Sequence, residues 1–284
     1  MTSTTIAIGT ITTIVSLFCW AIFFQGIGTM VRTIAKGQKI DSSRIFPIIP
    51  RIKTVVIEFA AHTRMAKFRT VGWAHWLVMV GFLLGFIFVF EAYGQAFNPH
   101  FHWPWLGTWG PYVLAEEVLG WATVIGGMTL VVIRQLNHPR VPERLSRFSG
   151  SNFRAAYFVE FVVVVEGLGM LGVKLFKIAS GIEHAPIWAS PTLHYIAMPF
   201  EGVPEWSVSA MAVVKLLSAM IWLAVVGRNI NWGVAWHRFA AFVNIYFKRE
   251  ADGGVALGAA KPMMSQGKAV SYTHLRAHET VLDL

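Results

Sequence analysis

The sequence has few charged side chains and a single cysteine, and each shortage excludes a class of protein. Charged residues make up 14% of the 284 positions and hydrophobic residues 55%. Soluble domains usually carry about 25% charged residues, so the composition predicts an integral membrane protein. The lone Cys19 excludes a disulfide framework, a cysteine-based zinc cluster and a self-contained iron–sulfur site within these residues.

The first ten residues, MTSTTIAIGT, lack the basic region and the small-residue cleavage site of a secretory signal peptide. They are therefore predicted to form the outer flank of a membrane helix. The formal net charge is +9. On a membrane protein such an excess is expected on cytoplasmic flanks, so nucleic-acid binding is not predicted.

Five apolar runs are long enough to span a bilayer, which needs about 20 residues of helix. Each must be helical, because lipid does not satisfy free backbone groups. The sequence thus predicts an all-α fold, a five-helix membrane bundle within residues 1–249. The runs are 6–30, 70–90, 112–133, 155–175 and 206–226.

The loops between these runs alternate in charge. Segments 31–69 and 134–154 are rich in Lys and Arg, whereas 94–110 and 178–205 contain none. The two uncharged loops carry tryptophans that suit a membrane interface, namely Trp103, Trp105, Trp109 and Trp188. The positive-inside rule then predicts a multi-pass protein of the plasma membrane, with its N-terminus outside and its C-terminus in the cytoplasm.

Segment 229–249 is amphipathic, and two placements are open for it. It could continue the fifth helix into the cytoplasm, or lie on the inner surface after a break at Gly233. Residues 250–269 are Gly-rich and polar, as a linker would be. Residues 270–284 resemble the translation of a sequencing adapter, so we exclude them and expect the natural chain to continue into a further domain.

Histidine in a membrane segment needs a partner or a role, and heme b takes one or two imidazoles as axial ligands. His75 is the best candidate, about 8 Å inside the inner boundary at 1.5 Å per residue. The alternative is an interfacial histidine bonded to a carbonyl. His237 is its natural partner by side, but a straight fifth helix would carry it about 46 Å along, beyond the hydrocarbon core. Pairing needs a tilted or late-starting fifth helix, or a heme near the inner surface, and a surface histidine on an amphipathic helix is the alternative. His62 lies on the same side among basic residues, where a solvated histidine is the alternative.

The remaining histidines of the loops are predicted to face outside, and a second heme there is a weaker hypothesis. His194, in SPTLHYIAMPF, is the best of that group, whose other members are His100, His102 and His184. A diheme module usually has two histidines on one helix, whereas the second span has only His75. One heme is therefore predicted.

Two opposite charges, Glu166 and Lys215, lie near the middle of the fourth and fifth spans. Because an unpaired charge there is costly, we predict that they form an ion pair. The alternative is that each snorkels or is neutral. Basic residues near the expected heme edge could bind its propionates, although most suit a solvated flank: Arg64, Lys67, Arg69 and Arg238.

Four blocks carry a resemblance to a known family. They are HTRMAKFRTVGWAHWLVMVGFLLG, EAYGQAFNPHFHWPWLG, VIRQLNHPRVPERLSRFSGS and NWGVAWHRFAAFVNIYFKREADGGVALGAAKPMMS. In this order they resemble the membrane half of actinobacterial iron–sulfur-binding reductases related to heterodisulfide reductase. That half is similar to the gamma subunit of respiratory nitrate reductase, a five-helix cytochrome b module.

The resemblance implies a membrane oxidoreductase that passes electrons between quinone, such as menaquinone, and a cytoplasmic iron–sulfur domain or protein with [4Fe–4S] clusters, through heme b. His75 and His237 match histidines of the family, and His62 matches an HTRM motif of some members. A non-redox membrane anchor for an iron–sulfur domain is the alternative. A small transporter built on Glu166 and Lys215 lacks the broken-helix repeat that such proteins show.

Overall fold

The structure, a computed structural model, describes residues 2–140, 146, 148–183, 186–254, 264–265 and 268–269. Five of its helices are long and apolar enough to cross a membrane, which confirms the predicted all-α class and the five spans. Each helix extends a few residues beyond the predicted run or matches it closely. They are α1 (Ser3–Ile34), α3 (Arg69–Phe97), α4 (Gly110–Leu136), α5 (Phe153–Ala179) and α7 (Trp206–Arg228).

Shorter elements lie in the connections. The α-helices among them are α2 (Ile48–Val55, continued by a wider turn at Val56–Ala60), α6 (Leu193–Ala197) and α8 (Gly233–Tyr246). Short 3₁₀ turns occur at Ser42–Arg44, Met65–Lys67, Ile187–Ala189 and Met198–Phe200. Met264–Ser265 (β1) pairs antiparallel with Lys268–Ala269 (β2) in the predicted linker. The tail at 270–284, whose origin we predicted above, lies outside the described residues.

The spanning helices form a closed ring. α1 packs on α7, α7 on α5, α5 on α4, α4 on α3, and α3 returns to α1 while also touching α7 across the centre. The α1–α7 contact depends on two glycines. A Cβ on Gly26 would lie 2.5 Å from the carbonyl oxygen of Gly227, and a Cβ on Gly227 would lie 2.7 Å from that of Ile22. Small residues let two membrane helices approach backbone to backbone in this way.

The two ends of the bundle differ. We call "basic end" the one that carries α2, α8 and the Lys- and Arg-rich loops, and "tryptophan-rich end" the opposite one. At the latter, Trp105, Trp109 and Trp188 expose 92%, 58% and 56% of their surface. Such exposure suits side chains that face the interfacial region of a bilayer.

Helix α8 does not continue α7. The chain leaves α7 after Arg228, turns at residues 229–232 and re-enters a helix at Gly233. Trp236 stacks on Phe23 of α1, with ring centroids 5.4 Å apart, and Phe239 lies against Phe82 of α3 and Trp222 of α7. α8 therefore folds back under the bundle, and of the two placements open for segment 229–249 the break before Gly233 is the one observed.

A buried arginine ties the end of α8 to α2. Arg51 is 2% exposed, and its guanidinium donates to the carbonyl oxygens of Tyr246 at 2.8 Å and Lys248 at 2.7 Å. It also donates to the carbonyl of Ser43. Carbonyls at a helix C-terminus lack intrahelical donors, so Arg51 supplies what the last turn of α8 needs and fixes its position.

Candidate functional site

Three histidines meet at the basic end although they come from three different elements. His62 follows the turn at Val56–Ala60, His75 lies near the start of α3, and His237 lies on α8. The ring centroids of His62 and His75 are 4.9 Å apart, and those of His75 and His237 are 5.8 Å apart. The back-folding of α8 removes the depth difference that a straight fifth helix would impose on His237.

Hydrogen bonds determine which ring nitrogens of His62 and His75 carry a hydrogen. The Nδ1 of His62 lies 3.2 Å from the carbonyl oxygen of Phe59, which can only accept, so this nitrogen carries the hydrogen. In a neutral ring the Nε2 of His62 is then an acceptor, and it lies 2.9 Å from the Nδ1 of His75. His75 therefore donates from Nδ1, which leaves the lone pair of its Nε2 available for a metal. A hydrogen bond to the other ring nitrogen is how proteins usually orient a ligating histidine.

Local backbone conformation delivers His62 to this position. Its φ is +55°, in the left-handed region that only a few per cent of non-glycine residues adopt. The indole of Trp76 on α3 donates to the carbonyl of Ala60 at 3.1 Å and holds the preceding turn against the helix. Such conformations persist where surrounding contacts fix them, frequently at functional sites.

His237 has an open face. Its side chain is exposed, whereas His62 is buried and His75 half-buried, so the cluster opens to one side along α8. On its inner side the ring packs against neighbouring atoms, and this desolvation, with the charge of Arg238, lowers the pKa of His237, although hydrogen bonds to the backbone of Val234 and Gly233 oppose the shift. The imidazole is thus held neutral, the form that binds a metal.

These residues fit an axially ligated heme. Two imidazoles approach each other from α3 and α8 with their planes tilted by 44°, and the hydrogen bond from His75 Nδ1 leaves its Nε2 free. Arg238 lies 4.9 Å from the ring centroids of both Phe82 and Trp222, and burial lowers its pKa to about 10, so it stays charged at neutral pH. In the described part of the chain, no group of three or more His, Cys, Asp or Glu side chains is arranged to hold a metal ion.

The other predicted histidines that the structure describes lie elsewhere. His100 bonds Glu205 at 2.9 Å, and His194 lies beside Tyr195, both at the tryptophan-rich end. His102 lies in the same loop, 3.3 Å from the carbonyl of Trp103. His184 falls outside the described residues. The guanidinium of the predicted basic partner Arg64 pairs with Glu58 at 2.9 Å.

The predicted ion pair between Glu166 and Lys215 is not formed directly. The amine of Lys215 donates to the carbonyl of Phe88 at 2.9 Å, and Glu166 accepts a hydrogen bond from Ser218. Ser218 lies between them, with its hydroxyl 2.9 Å from the carbonyl of Lys215. A nearer backbone acceptor therefore satisfies the lysine, which points towards α3 rather than across to the carboxylate.

A larger charge network fills the half of the bundle nearer the tryptophan-rich end. Its core is Glu91 of α3, which accepts from Tyr112 at 2.6 Å, from Gln95 at 3.0 Å and from Lys177 at 3.3 Å. Each of these four side chains is at most 8% exposed. Further ionisable members are Glu116, Glu117, Lys174, Lys215 and Glu183.

At the edge of this network, Lys174 and Glu117 hold the loop after α5. Lys174 is fully buried and donates to the carbonyls of Val113 and Ala189, with Glu117 at 3.6 Å. Glu117 accepts from the backbone N–H of Thr192 at 2.8 Å, at the start of α6. Burial, together with neighbouring Glu116, raises the pKa of loop residue Glu183 to about 7.

This network was not predicted from the sequence, although one sequence signal indicates it. Lys174 and Lys177 lie at the end of α5 that the charge rule assigns to the outside, where flanking lysines are not expected. Acidic residues lie at the same end of the two preceding helices, at Glu91, Glu116 and Glu117. Opposite charges at matching depth on neighbouring helices indicate internal pairing.

The chain was compared with family models, with curated proteins and with solved structures, and no match was found in any of the three comparisons.

Proposed function

We propose that this protein is the membrane electron-transfer module of an iron–sulfur oxidoreductase, similar in fold to the gamma subunit of respiratory nitrate reductase. It passes electrons between membrane quinone and cytoplasmic [4Fe–4S] clusters by way of one heme b. The observation that carries the proposal is the approach of His75 and His237, from two separate helices, to 5.8 Å between ring centroids. Cofactor sites in helix bundles are built from side chains on facing helices, and heme b takes imidazoles as axial ligands.

Each residue of the cluster has a distinct role in this proposal. His75 and His237 would ligate the iron, and a bound heme would supply one-electron transfer. His62 would act as a positioning residue, because its contact with the Nδ1 of His75 at 2.9 Å fixes the ring and its tautomer. Arg238 would offer a guanidinium to the propionates from the opening of the cluster. The bilayer surrounds the module at the plasma membrane.

The location of the cluster suits transfer to a cytoplasmic partner. The histidines lie at the basic end, which the positive-inside rule assigns to the cytoplasm. The chain that follows α8 is held at the same end by Arg51 and by Thr54, whose hydroxyl donates to the carbonyl of Ala251 at 2.7 Å. An iron–sulfur domain attached beyond the linker would therefore start close to the heme.

The first experiment is an absorbance spectrum of the purified full chain, produced with ample heme supply. We expect a Soret band that is lost in His75→Ala and in His237→Ala. His62→Ala should retain heme and shift the midpoint potential, because the hydrogen bond that tunes His75 is removed. His100→Ala and His194→Ala are matched controls at the opposite end and should leave the spectrum unchanged.

A colourless preparation, or an unchanged Soret band in both ligand variants, would refute the heme assignment.

The second candidate, a non-redox anchor for an iron–sulfur domain, is favoured by one observation. The chain after α8 is tied to α2 through Arg51 and to the turn at Val56–Ala60 through Glu58, which forms ion pairs with Lys248 and with Arg64. Such an anchor would fold normally and remain colourless.

A further inference from the structure

Helix α2, with the turn that continues it, exposes an apolar surface at the basic end. Ile49 is 80% exposed, and the large apolar side chains around it are exposed as well: Phe46, Ile48, Ile52, Val56 and Ile57. Positions 48, 49, 52 and 56 lie on one side of a helix, so these side chains form one continuous surface, the apolar face of α2. An exposed apolar patch of this kind marks a contact with a protein or with a membrane.

The opposite face of α2 is polar and already engaged. Arg51 and Thr54 are buried and donate to carbonyls of the chain after α8, and Glu58 in the turn pairs with Lys248. These contacts fix the rotation of α2 about its axis. The apolar face is therefore held pointing outward.

The depth of this segment decides between lipid and a soluble protein as its partner. Helix α3 has 29 residues, which at 1.5 Å per residue span about 43 Å, the thickness of a bilayer with its headgroups. Trp76 lies about 10 Å along α3 from its start at Arg69, where headgroups give way to hydrocarbon. Its indole donates to the carbonyl of Ala60, the last residue of the turn, at 3.1 Å. The segment thus ends within the lipid layer, which a soluble protein does not reach.

The charge around the segment selects the kind of lipid. Lys53 is exposed and lies at the edge of the apolar face, one turn from Ile49 and from Ile57. Acidic side chains are scarce nearby, because segment 31–69 has only Asp41 and Glu58. Its other exposed basic residues include Lys36, Lys39, Lys67 and Arg69. Lysine on an interfacial helix keeps its stem on apolar surface and its ammonium in the headgroup layer, where anionic headgroups attract it.

We propose that α2 is an interfacial helix that binds an anionic phospholipid of the adjacent leaflet, with its apolar face among the acyl chains and the ammonium of Lys53 at the headgroup phosphate. The other face of α2 holds the chain after α8, so a bound anionic lipid also stabilises the position of residues 248–254. The lipid site depends neither on a heme nor on a redox activity.

The first measurement locates the apolar face. The full chain, as Ile49→Cys in a Cys19→Ser background, is spin-labelled and reconstituted in nanodiscs of phosphatidylcholine with phosphatidylglycerol. We expect oxygen, which concentrates in lipid, to relax the label, and a water-soluble nickel complex to leave it unaffected. Gln38→Cys, in an exposed loop of the same end, is the control and should respond to the nickel complex. A label at position 49 that nickel relaxes as strongly as the control overturns the proposal. A label that neither agent reaches also overturns it and indicates a protein contact.

The second measurement tests the headgroup contact. Amide hydrogen exchange of residues 248–254 should be slower in nanodiscs that contain phosphatidylglycerol than in phosphatidylcholine alone. In the anionic nanodiscs Lys53→Gln should exchange about fivefold faster than the unaltered chain, the effect of one lysine at an anionic surface. In phosphatidylcholine alone the two should match.

Arg154→Gln is the matched control for the headgroup contact. It removes an exposed cation of the same end from the start of α5 and should leave the exchange of residues 248–254 unchanged. Equal acceleration in Lys53→Gln and Arg154→Gln would overturn the proposal, because general surface charge would then explain the effect. Exchange in the unaltered chain that does not respond to phosphatidylglycerol would overturn it as well.

Discussion

Lys174 shows how a fully buried amine can hold three elements together. It contacts Val113 and Glu117 of α4 and Ala189 of the loop after α5. Lys174→Met would leave the Glu117 carboxylate buried without its counter-charge, which typically costs about 3–5 kcal/mol. We therefore expect a clearly lower melting temperature, followed by tryptophan fluorescence in detergent.

The companion variant makes that prediction specific. In Lys174→Met with Glu117→Gln the carboxylate in direct contact with Lys174 is neutralised as well, so part of the lost stability should return, with a coupling of about 0.5–3 kcal/mol. Lys36→Met removes a lysine from an exposed loop and should leave the melting temperature unchanged. Equal melting temperatures for the single and the double variant would contradict the pairing.

At the scale of single residues, the sequence predicted the members of the histidine cluster, because residue type and position along the chain are enough to select them. His75, His62 and His237 were all named from their type and position, and the structure brings the three together. It could not predict that Lys215 would find the carbonyl of Phe88 before Glu166, because that choice depends on helix rotation and rotamers. Nor does the sequence reveal that the indole N–H of Trp222 is buried without a hydrogen-bond acceptor among the described residues.

At the scale of elements, the five spans followed from hydropathy, because an apolar run of this length in lipid must satisfy its backbone hydrogen bonds within a helix. The placement of α8 did not follow. Both a continued helix and a surface helix satisfy the amphipathic pattern of 229–249, and the decision is made by distant partners. Phe23 stacks on Trp236, and Arg51 binds the carbonyl of Tyr246. Neither contact has a local sequence signal.

The docking of the segment after α8 should depend on pH through Glu58. Partial burial would raise the pKa of Glu58, but hydrogen bonds from Lys248 and Arg64 outweigh it and hold the pKa below its usual 4.5. The stabilisation is therefore fully present above pH 4.5 and is lost as the pH falls through the folded-state pKa. Amide hydrogen exchange of residues 248–254, corrected for intrinsic rates, should rise at acid pH.

Glu58→Gln should show fast exchange at neutral pH and lose most of the pH dependence. Glu201→Gln, at the opposite end, is the control and should behave as the unaltered chain. If the Glu58→Gln variant kept the acid-induced rise, another group would have to be responsible for it.

At the scale of the whole molecule, the two ends differ in whether their basic residues are solvated or buried. The basic end carries solvated Lys and Arg in its loops, whereas the lysines near the tryptophan-rich end are buried and engaged: Lys174, Lys177 and Lys215. Topology responds to unpaired basic residues in the flanking loops. The network therefore does not weaken the orientation signal, and the basic end should be cytoplasmic.

This orientation can be tested with single cysteines in a Cys19→Ser background. Thr108→Cys probes the tryptophan-rich end and Ser149→Cys the basic end, and both positions are exposed loop residues. In intact cells a membrane-impermeant maleimide should label Thr108→Cys, while Ser149→Cys should react only after permeabilisation. The reverse pattern would invert the topology and place the histidine cluster on the outer side, where a cytoplasmic iron–sulfur partner could not reach it.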